Sequence, residues 1–432
     1  MLIPSIDLRA GKAVQLVGGR RKALEVADVE GLARRFRVYG TVAVVDLDAA
    51  LGTGDNLDLV TALCRLARCR VGGGVRSEER ANALLRAGAD SLVVGTAAEP
   101  AFLSRLPRDR TWVALDHRDG LVLDRGWRGE TGERLERRLE RLAPLCAGFL
   151  VTDVAREGRL GGLDRDAFRR LRAVSPLPLV AAGGAASEAE VADLDRLGVD
   201  VQVGMALYTG RLDPAAAFIA CLDFAKGGGL VPCIVQDRAG RVRMLAWQTP
   251  ETLTEALCTG RGVYWSRSRN ERWVKGATSG NTQALLEARA DCDRDAVRFT
   301  VEQTGPACHT GAATCFGPAD FRLEDLEAVL AGRRGGDASG GYTARLLADP
   351  ALLDAKLREE TEEVIEAQAR PSDLVWECAD LLYFLMVRMA AGGVTLAQVA
   401  SELARRRTVK RDDKGRGAAG GRNPILTTDE HG

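Results

Sequence analysis

Short apolar runs alternate with amphipathic, charged stretches across residues 1–226, as strands and helices do in a parallel α/β fold. The runs predicted to be strands are Leu2–Leu8, Val42–Leu47, Arg70–Val71, Leu92–Val94, Trp112–Leu115, Phe149–Val151, Leu177–Ala181 and Val201–Val203. Eight strands separated by helices predict a (β/α)8 TIM barrel. An open, doubly wound sheet alternates in the same way, so a further observation is needed to separate the two folds.

That observation is an internal repeat, because the second half of this region repeats the first at an offset of about 110 residues. The matching segments are Ile6–Gly11 with Leu115–Gly120, Gly73–Ser77 with Gly183–Ser187, Gly88–Asp90 with Gly198–Asp200, and Val94–Ala97 with Val203–Ala206. A doubly wound sheet does not duplicate across its middle, so the repeat favours a barrel made of two halves.

The repeated glycines predict two phosphate sites at one mouth of the barrel. Glycine turns at the start of a helix offer backbone N–H groups to an anion, and the repeat places one such pair in each half. Glycines also close βα loops without binding anything, so the symmetry of the turns carries the prediction. The predicted phosphate contacts are Gly73, Gly74, Arg76, Gly95, Thr96, Gly183, Gly184 and Gly204.

The pattern changes after residue 226. Residues 227–229 are a glycine run and a predicted linker. Residues 230–318 carry strand-like runs, among them Val231–Val235 and Val242–Trp247, and are predicted to form a small β-rich α+β domain that binds metal.

Residues 319–407 have the periodicity of helices and predict an all-α domain. The predicted helical segments are Leu326–Leu330, Leu352–Gln368, Leu374–Met389 and Leu396–Ala404. Residues 332–341 are a predicted Gly-rich loop, and residues 408–432 are a predicted, mostly disordered tail. A multidomain chain is expected, since 432 residues exceed the roughly 250–300 that one core supports.

Composition and charge narrow the classes of partner. Lys+Arg and Asp+Glu both number 60, so the chain lacks a basic field for nucleic acid or an anionic membrane, and small anions are the expected ligands. No apolar stretch approaches the ~18 residues of a membrane span. The first residues lack the basic region of a signal peptide, so the ten cysteines predict reduced thiols and a cytoplasmic protein.

The densest group of chemically active side chains lies in residues 291–315. Three thiolates leave a fourth zinc position for water, as catalytic sites do, and alternating carboxylates suit magnesium. A structural zinc knot is the alternative, although such sites usually have four ligands in paired short spacings. The predicted zinc ligands are Cys292, Cys308 and Cys315, and the predicted magnesium ligands are Asp291, Asp293 and Asp295.

The helical region carries two more carboxylate groups. Glu359, Glu360 and Glu363 share a helix face, and Glu377 and Asp380 repeat the i,i+3 spacing on the next helix. If the two groups face each other, they would bind Mg²⁺ and, through it, phosphate oxygens. A solvated acidic face is the alternative, but an unpaired charge beside the apolar run that follows residue 380 is costly.

Three segments resemble enzyme families of histidine biosynthesis. The barrel resembles phosphoribosylformimino-5-aminoimidazole carboxamide ribotide isomerase through Ile6–Leu8, Val45–Asp48, Gly72–Arg76, Leu115–Asp116 and Gly126–Trp127. Residues 262–316 resemble phosphoribosyl-AMP cyclohydrolase through Tyr264–Arg269, Lys275–Gln283 and the cysteine cluster. The helical segment resembles phosphoribosyl-ATP pyrophosphohydrolase through Lys356, Glu359–Glu360, Glu363 and Trp376–Tyr383.

The resemblances imply a trifunctional enzyme that binds an ATP-derived nucleotide. The helical domain would hydrolyse phosphoribosyl-ATP to phosphoribosyl-AMP and pyrophosphate with Mg²⁺, and the central domain would open the adenine ring with a zinc-bound water. His309 is the implied acid or base there, and the family implies a homodimer with zinc ligands from both subunits. The implied substrate contacts are Arg267, Arg269, Lys275, Ser279 and Lys356.

In the barrel, an aminoaldose would be isomerised to an aminoketose, which needs an acid and a base. The duplicated aspartates meet that need, with Asp7 as the base and Asp116 as the acid. Gln15 stands where the family usually has arginine, which motivates an alternative: a bifunctional cyclohydrolase and pyrophosphohydrolase whose barrel is a binding or dimerisation module. A non-enzymatic nucleotide sensor is a third class of function.

Overall fold

The structure is a computed structural model that describes residues 1–19, 21–124, 126–127, 129–317, 321–335, 341–367 and 371–408. The chain splits into two compact units, one within residues 1–318 and one within residues 319–407. Of the predicted tail, only Thr408 is described, as the end of the last helix. The rest of that prediction lies outside the described residues.

The described residues of the region 1–226 form twelve strands in one sheet. They are β1 (Leu2–Arg9), β2 (Lys12–Val17), β3 (Arg21–Val26), β4 (Val42–Asp46), β5 (Cys69–Gly72), β6 (Ser91–Val94), β7 (Thr111–Arg118), β8 (Leu121–Asp124), β9 (Gly129–Arg134), β10 (Gly148–Asp153), β11 (Leu179–Ala182) and β12 (Val199–Val203). Parallel pairing runs from β1 through β4, β5, β6, β7, β10, β11 and β12, and β12 pairs with β1 again. The barrel prediction is confirmed, because all eight predicted runs fall on these strands.

The helices of this region surround the barrel. They are α1 (Val29–Phe36), α2 (Leu47–Leu51), α3 (Leu57–Leu66), α4 (Glu78–Arg86), α5 (Pro100–Leu103), α6 (Leu135–Leu142), α7 (Arg165–Val174), α8 (Glu188–Arg196), α9 (Met205–Tyr208) and α10 (Pro214–Ala220). The strand predicted at 42–47 ends one residue early, since the Asp46 carboxylate accepts the N–H of Ala49 and caps α2.

The internal repeat is visible in the backbone. Each half begins with a strand followed by two antiparallel strands, β1–β2–β3 in the first half and β7–β8–β9 in the second. The first turn of each set has two residues in the left-handed region, Ala10 (φ 49°) and Gly11 (φ 73°), and Asp119 (φ 50°) and Gly120 (φ 78°). A two-residue type I′ hairpin requires positive φ at both positions, so the duplicated sequence encodes a duplicated turn.

A second sheet occupies residues 231–303 of the same compact unit. Its elements are β13 (Val231–Gln236), β14 (Val242–Gln248), α11 (Pro250–Thr259), β15 (Val263–Ser266), β16 (Glu271–Val274), β17 (Gln283–Ala290) and β18 (Val297–Gln303). The strand order is β16-β15-β14-β13-β18-β17, with β13 and β18 parallel. Buried residues of this sheet and of the barrel belong to one hydrophobic cluster, which includes Phe36, Leu63, Tyr264 and Phe299. The domain boundary at 227–229 stays a prediction.

The second unit is helical. It contains α12 (Leu323–Gly335), α13 (Tyr342–Ala348), α14 (Pro350–Glu366), α15 (Pro371–Gly392) and α16 (Leu396–Thr408). Its core includes Leu330, Leu346, Leu353, Phe384 and Val387. Among the described residues, no helix combines the length and the apolar character that crossing a membrane requires.

The loop predicted at 332–341 is wrong at its start. Helix α12 continues to Gly335, and of the predicted loop residues 336–340 lie outside the described part of the chain. Arg333 and Arg334 occupy the last turn, where cations favour the helix dipole, and Arg333 Nη1 donates to Thr343 Oγ1 at 2.6 Å. These contacts oppose the roughly 1 kcal/mol that a glycine costs inside a helix.

Candidate active sites

A cavity of about 610 Å³ opens at the C-terminal ends of the barrel strands. This volume lies in the range of small-molecule sites, and the position is the one where barrel enzymes hold their reactive groups. Asp7 lies two residues before the end of β1 and Asp116 two residues before the end of β7, the equivalent strand of the second half, and both line the cavity. The structure therefore brings the two predicted catalytic aspartates to one mouth.

Burial shapes the electrostatics of this mouth. Desolvation raises the pKa of Asp7 to about 6, opposed by the hydroxyl of Ser5, which donates to Asp7 Oδ1 at 2.8 Å. Desolvation also raises the pKa of Asp116, whose Oδ2 accepts from Trp127 Nε1 at 2.7 Å. A carboxyl with a pKa near neutrality is suited to proton transfer.

A third carboxylate at the mouth was not predicted. Glu157 lines the cavity, and burial together with the charges of Asp7 and Asp116 raises its pKa to about 7. It follows β10 by four residues, so its place after a barrel strand is the signal that could have found it. Gln15 also faces the cavity, and its buried Nε2 has no hydrogen-bond partner among the described residues.

The duplicated glycine turns line the same cavity. Gly73 and Gly183 have φ of 95° and 90°, and a Cβ at either would collide with a backbone oxygen at the end of the preceding strand, that of Asp46 or that of Asp153. Glycine is therefore required at both places. The other predicted phosphate residues of the barrel also line the cavity, namely Gly74, Arg76, Gly95, Thr96, Gly184 and Gly204. Arg76 donates to the carbonyls of Ala49 and Ala50.

The loop between β17 and β18 gathers the predicted magnesium ligands. One carboxylate oxygen from each of Asp291, Asp293 and Asp295 lies within 4.8 Å of the others. Asp291 Oδ1 accepts the N–H groups of Asp295 and Ala296, which closes the loop tightly. These oxygen ligands fit a hard divalent cation. The Nζ of Lys226 donates to Asp293 at 2.7 Å and to Asp295 at 3.2 Å, so the carboxylates already accommodate a positive charge.

The three predicted zinc ligands do not meet within one chain. Cys308 and Cys315 are neighbours in the loop after β18, whereas Cys292 precedes that strand, in the acidic loop. The seven residues of β18 put roughly 20 Å between the two ends. Accordingly, no group of three within 4.8 Å contains these thiols among the described residues.

The Cys308 thiol is prepared to act as a ligand. Its Sγ accepts from the hydroxyl of Thr310 at 3.2 Å, and this bond lowers its pKa, which favours the thiolate that zinc binds. Exposed His309 places Nδ1 3.8 Å from the same sulfur. Lys275 is buried nearby, and although both thiols act to raise its pKa, desolvation lowers it. All ten cysteines are free, and their reducing compartment stays a prediction.

The remaining predicted phosphate residues of this region are exposed. The guanidinium of Arg267 lies 4.0 Å over the ring of Trp247, and Arg269 pairs with Glu271. Ser279 accepts the N–H of Asn281 at 3.3 Å. The structure brings Lys275 to the thiols and leaves these three residues at the surface.

In the helical unit, α14 and α15 bring three of the five predicted carboxylates together. Oxygens of Glu360, Glu363 and Glu377 lie within 4.8 Å of one another. Asp380 lies close enough to raise the pKa of Glu360, after desolvation and the charge of Glu363. Glu359 is instead exposed and accepts from Lys356 Nζ at 2.7 Å. Lys356 also approaches Glu360, at 3.8 Å, so it borders the group.

Family models match the chain in three consecutive segments. The model described as histidine biosynthesis protein matches residues 1–213, phosphoribosyl-AMP cyclohydrolase matches residues 244–317, and phosphoribosyl-ATP pyrophosphohydrolase matches residues 323–407. The three predicted resemblances are confirmed in order, and with them the prediction of an enzyme of histidine biosynthesis.

Curated relatives agree. The histidine biosynthesis trifunctional protein of Saccharomyces bayanus is 44% identical over 176 residues, which are 40% of this chain and 22% of that protein. The histidine biosynthesis bifunctional protein HisIE of Parasynechococcus marenigrum is 41% identical over 217 residues, 45% of this chain and 96% of that protein. The HisIE protein of Pyrococcus furiosus is 38% identical over 200 residues, 43% of this chain and 95% of that protein.

The fold and the sites thus define a multidomain enzyme with a TIM barrel, a β-rich segment and a helical segment. Through the second and third segments, the chain belongs to the family of the histidine biosynthesis bifunctional protein HisIE. It spans about a fifth of the length of the first trifunctional relatives that it matches.

Proposed function

We propose that the chain hydrolyses phosphoribosyl-ATP to phosphoribosyl-AMP and pyrophosphate, opens the adenine ring of phosphoribosyl-AMP, and isomerises the resulting aminoaldose in its barrel. The observation that carries this proposal is the convergence of carboxylates at three separate places, each inside a segment that matches the corresponding histidine-biosynthesis family. Each group offers the chemistry that its segment needs.

In the helical unit, Glu360, Glu363 and Glu377 would hold Mg²⁺, with Asp380 beside them. Mg²⁺ supplies charge neutralisation of the triphosphate oxygens when it is bound. The oxygens fit such an ion because they lie close together without enough positive charge to balance them. Desolvation, and after it the charge of Glu363, raises the pKa of both Glu360 and Glu377. Lys356, which borders the group, would contact a substrate phosphate.

In the β-rich segment, Cys308 and Cys315 of one subunit and Cys292 of a second would hold Zn²⁺. Zinc supplies an acidified water when it is bound. A second copy is required by the length of β18, and an exposed apolar face is present for it. Ile234 on β13 is 42% exposed and faces Leu245 on β14, which is 52% exposed. We infer a homodimer through this sheet.

His309, next to Cys308, would take up or release the proton of the reacting water. The buried ammonium of Lys275 would face the substrate, and the acidic loop would hold Mg²⁺ for the substrate phosphate.

In the barrel, Asp7 would remove the C2 proton and Asp116 would protonate the ribose ring oxygen. Asp7, with a pKa of about 6, is mostly ionised at neutral pH and is basic enough to accept a proton. Asp116 is positioned by Trp127, and the glycine turns would bind the two terminal phosphates. The free Nε2 of Gln15 is a donor for the substrate, which supports a catalytic barrel over a purely structural one.

Mass spectrometry of the products formed from phosphoribosyl-ATP, with Zn²⁺ and Mg²⁺ supplied, tests the proposal. Because the aminoaldose and the aminoketose have equal mass, a chromatographic separation precedes the last assignment. Glu363→Gln is expected to stop the sequence at phosphoribosyl-ATP, Cys308→Ser at phosphoribosyl-AMP, and Asp7→Asn at the aminoaldose. If Asp7→Asn still forms the aminoketose at the wild-type rate, the bifunctional alternative with a non-catalytic barrel is correct.

A further inference from the structure

The acidic loop of the β-rich segment lies against the floor of the barrel. Met1 and Asp195 are at the N-terminal ends of the strands, where the ammonium group of Met1 contacts the carboxylates of Asp195 and Asp200. Asp7 at the mouth is separated from this floor by the part of β1 between Leu2 and Asp7, roughly 17 Å. The loop therefore contacts a face of the barrel that lies away from the barrel's own cavity.

Arg294 joins the loop to this floor. Its Nε donates to Asp195 Oδ2 and its Nη2 donates to Asp195 Oδ1, both at 2.7 Å, so the pair is bidentate. The side chain of Asp195 is only 2% exposed. Burial alone would raise the pKa of Asp195, but the Arg294 guanidinium and the Met1 ammonium outweigh it and hold the pKa below its ordinary value. The pair is thus ionic, with a buried carboxylate and a partly buried guanidinium.

The backbone of the loop depends on the same residue. The backbone of Arg294 has φ of 65°, in the left-handed region, which residues other than glycine adopt mainly where the surrounding structure holds them there. Its carbonyl accepts the N–H of Asp223, 2.7 Å away in the turn that follows the barrel, and its guanidinium donates to the carbonyl of Asp291. In the order Asp293-Arg294-Asp295, the arginine is held by the barrel while the flanking carboxylates are turned to their shared cation position.

The barrel segment also supplies the cation that occupies this position. Lys226 follows α10, and its Nζ contacts Asp293 at 2.7 Å and Asp295 at 3.2 Å. A divalent ion bound to these carboxylates takes the place of the ammonium group, because both need the same oxygens.

We infer that the barrel is part of the metal site of the β-rich segment: Asp195, through Arg294, holds the acidic loop in its metal-binding conformation, and Lys226 neutralises that loop until a divalent cation displaces it. Asp195, Arg294 and Lys226 are positioning residues in this scheme. The inference rests on the proposed role of the acidic loop as a cation site.

The inference is tested by measuring Mn²⁺ binding to the full chain with zinc supplied. The electron paramagnetic resonance signal of the free Mn²⁺ reports how much of the ion is bound. A Glu363→Gln background removes binding to the helical carboxylates. Arg294→Gln is expected to raise the dissociation constant of the remaining site about tenfold or more, as loss of a residue that orients metal ligands does. Arg294→Lys keeps the charge and is expected to restore part of the affinity. Lys226→Gln is expected to act in the opposite direction and tighten binding.

Arg289→Gln is the matched control, because Arg289 precedes the loop, carries the same charge and pairs with Glu287 instead of the barrel. If Arg294→Gln and Arg289→Gln bind Mn²⁺ equally well, the inference is wrong. Should Arg294→Gln fail to fold, Arg294→Lys decides, since full wild-type affinity there would contradict the need for a bidentate pair. Asp293→Asn separates the two levels of the argument: if it leaves Mn²⁺ binding unchanged, the cation site itself, and with it that part of the proposed function, is rejected.

Discussion

The acidic loop and the helical carboxylate group each bring three carboxylates within 4.8 Å, yet their electrostatics are opposite. In the loop, the ammonium of Lys226 lowers the pKa of Asp293. In the helical unit, desolvation and repulsion raise the pKa of Glu360 and of Glu377. The loop carries its own counter-ion, whereas the helical group holds more negative charge than Lys356 balances. Two groups with the same number of carboxylates therefore differ in the direction of their pKa shifts, because a cation lies close to one group and not to the centre of the other.

Separate substitutions in the two groups should give the largest effect. Glu363→Gln is expected to slow pyrophosphate release about 100-fold or more while ring opening of supplied phosphoribosyl-AMP stays at the wild-type rate, because a ligand is lost in one unit only. Asp293→Asn is expected to do the reverse. Both rates are measured on both substrates. Equal loss of both activities in either variant would contradict independent sites.

The barrel mouth holds a third group of carboxylates, and their pKa values are raised, as they are in the helical unit. The ionised form of Asp7 is the proposed base, so isomerase kcat/KM is expected to rise with pH through about 6. Since the charge of Glu157 is one of the groups near Asp7, Glu157→Gln is expected to move this limb to lower pH by less than about one unit. A pH profile of the purified variant measures it. An unchanged limb would show that the two carboxyls are not coupled.

The metal-free chain should respond to acid with opposite signs in the two groups. Glu360 has a raised pKa in the folded state, so its contribution to stability is present at low pH and is lost as the pH rises through the folded pKa. Asp293 and Asp195 have lowered pKa values, so their contributions are lost as the pH falls. With a chelator present, protection from hydrogen exchange is expected to rise in α14 and α15 as the pH falls from neutrality toward 4.5, the ordinary pKa of glutamate. In residues 291–295 protection is expected to fall only when the pH drops below 3.8, the ordinary pKa of aspartate. Mg²⁺ should flatten the first trend. If protection from hydrogen exchange changed in the same direction in both places, the proposed electrostatic difference between the two groups would be wrong.

The smallest effect is expected for Lys226→Gln on overall stability. The ion pairs of Lys226 with Asp293 and Asp295 are exposed and screened by solvent, so the thermal midpoint is expected to change by less than about 2 °C. Calorimetry with and without added salt measures it. A larger shift would mean that Lys226 supports the fold itself, beyond neutralising the loop.

Much of the fold could be predicted from the order of residues. Strand runs and the half-barrel repeat located all eight barrel strands, because side-chain period and glycine placement are local properties. They also placed Asp7 and Asp116 at one mouth. Glu157 was missed because its place after β10 was its one local signal, and many polar residues follow barrel strands. Only the folded barrel buries it beside two other carboxylates, and burial together with their charges raises its pKa.

Within the helical unit, spacing identified the two helices and the five candidate carboxylates, but not which of the five meet. Adjacent residues of a helix point about 100° apart, so Glu359 and Glu360 cannot both face α15. Packing of α14 against α15 decided that Glu360 is buried in the carboxylate group, while Glu359 turns to Lys356.

The sequence by itself determined the three segments, their secondary structure and the kinds of ligand atom that each offers, since these follow from local periodicity and side-chain chemistry. Tertiary structure alone decided which of these atoms meet. It placed Cys292 at one end of a rigid strand and Cys308 at the other, and it joined Arg294 to Asp195, 99 residues away. Such distances depend on how long-range packing closes the chain, and no local pattern encodes them.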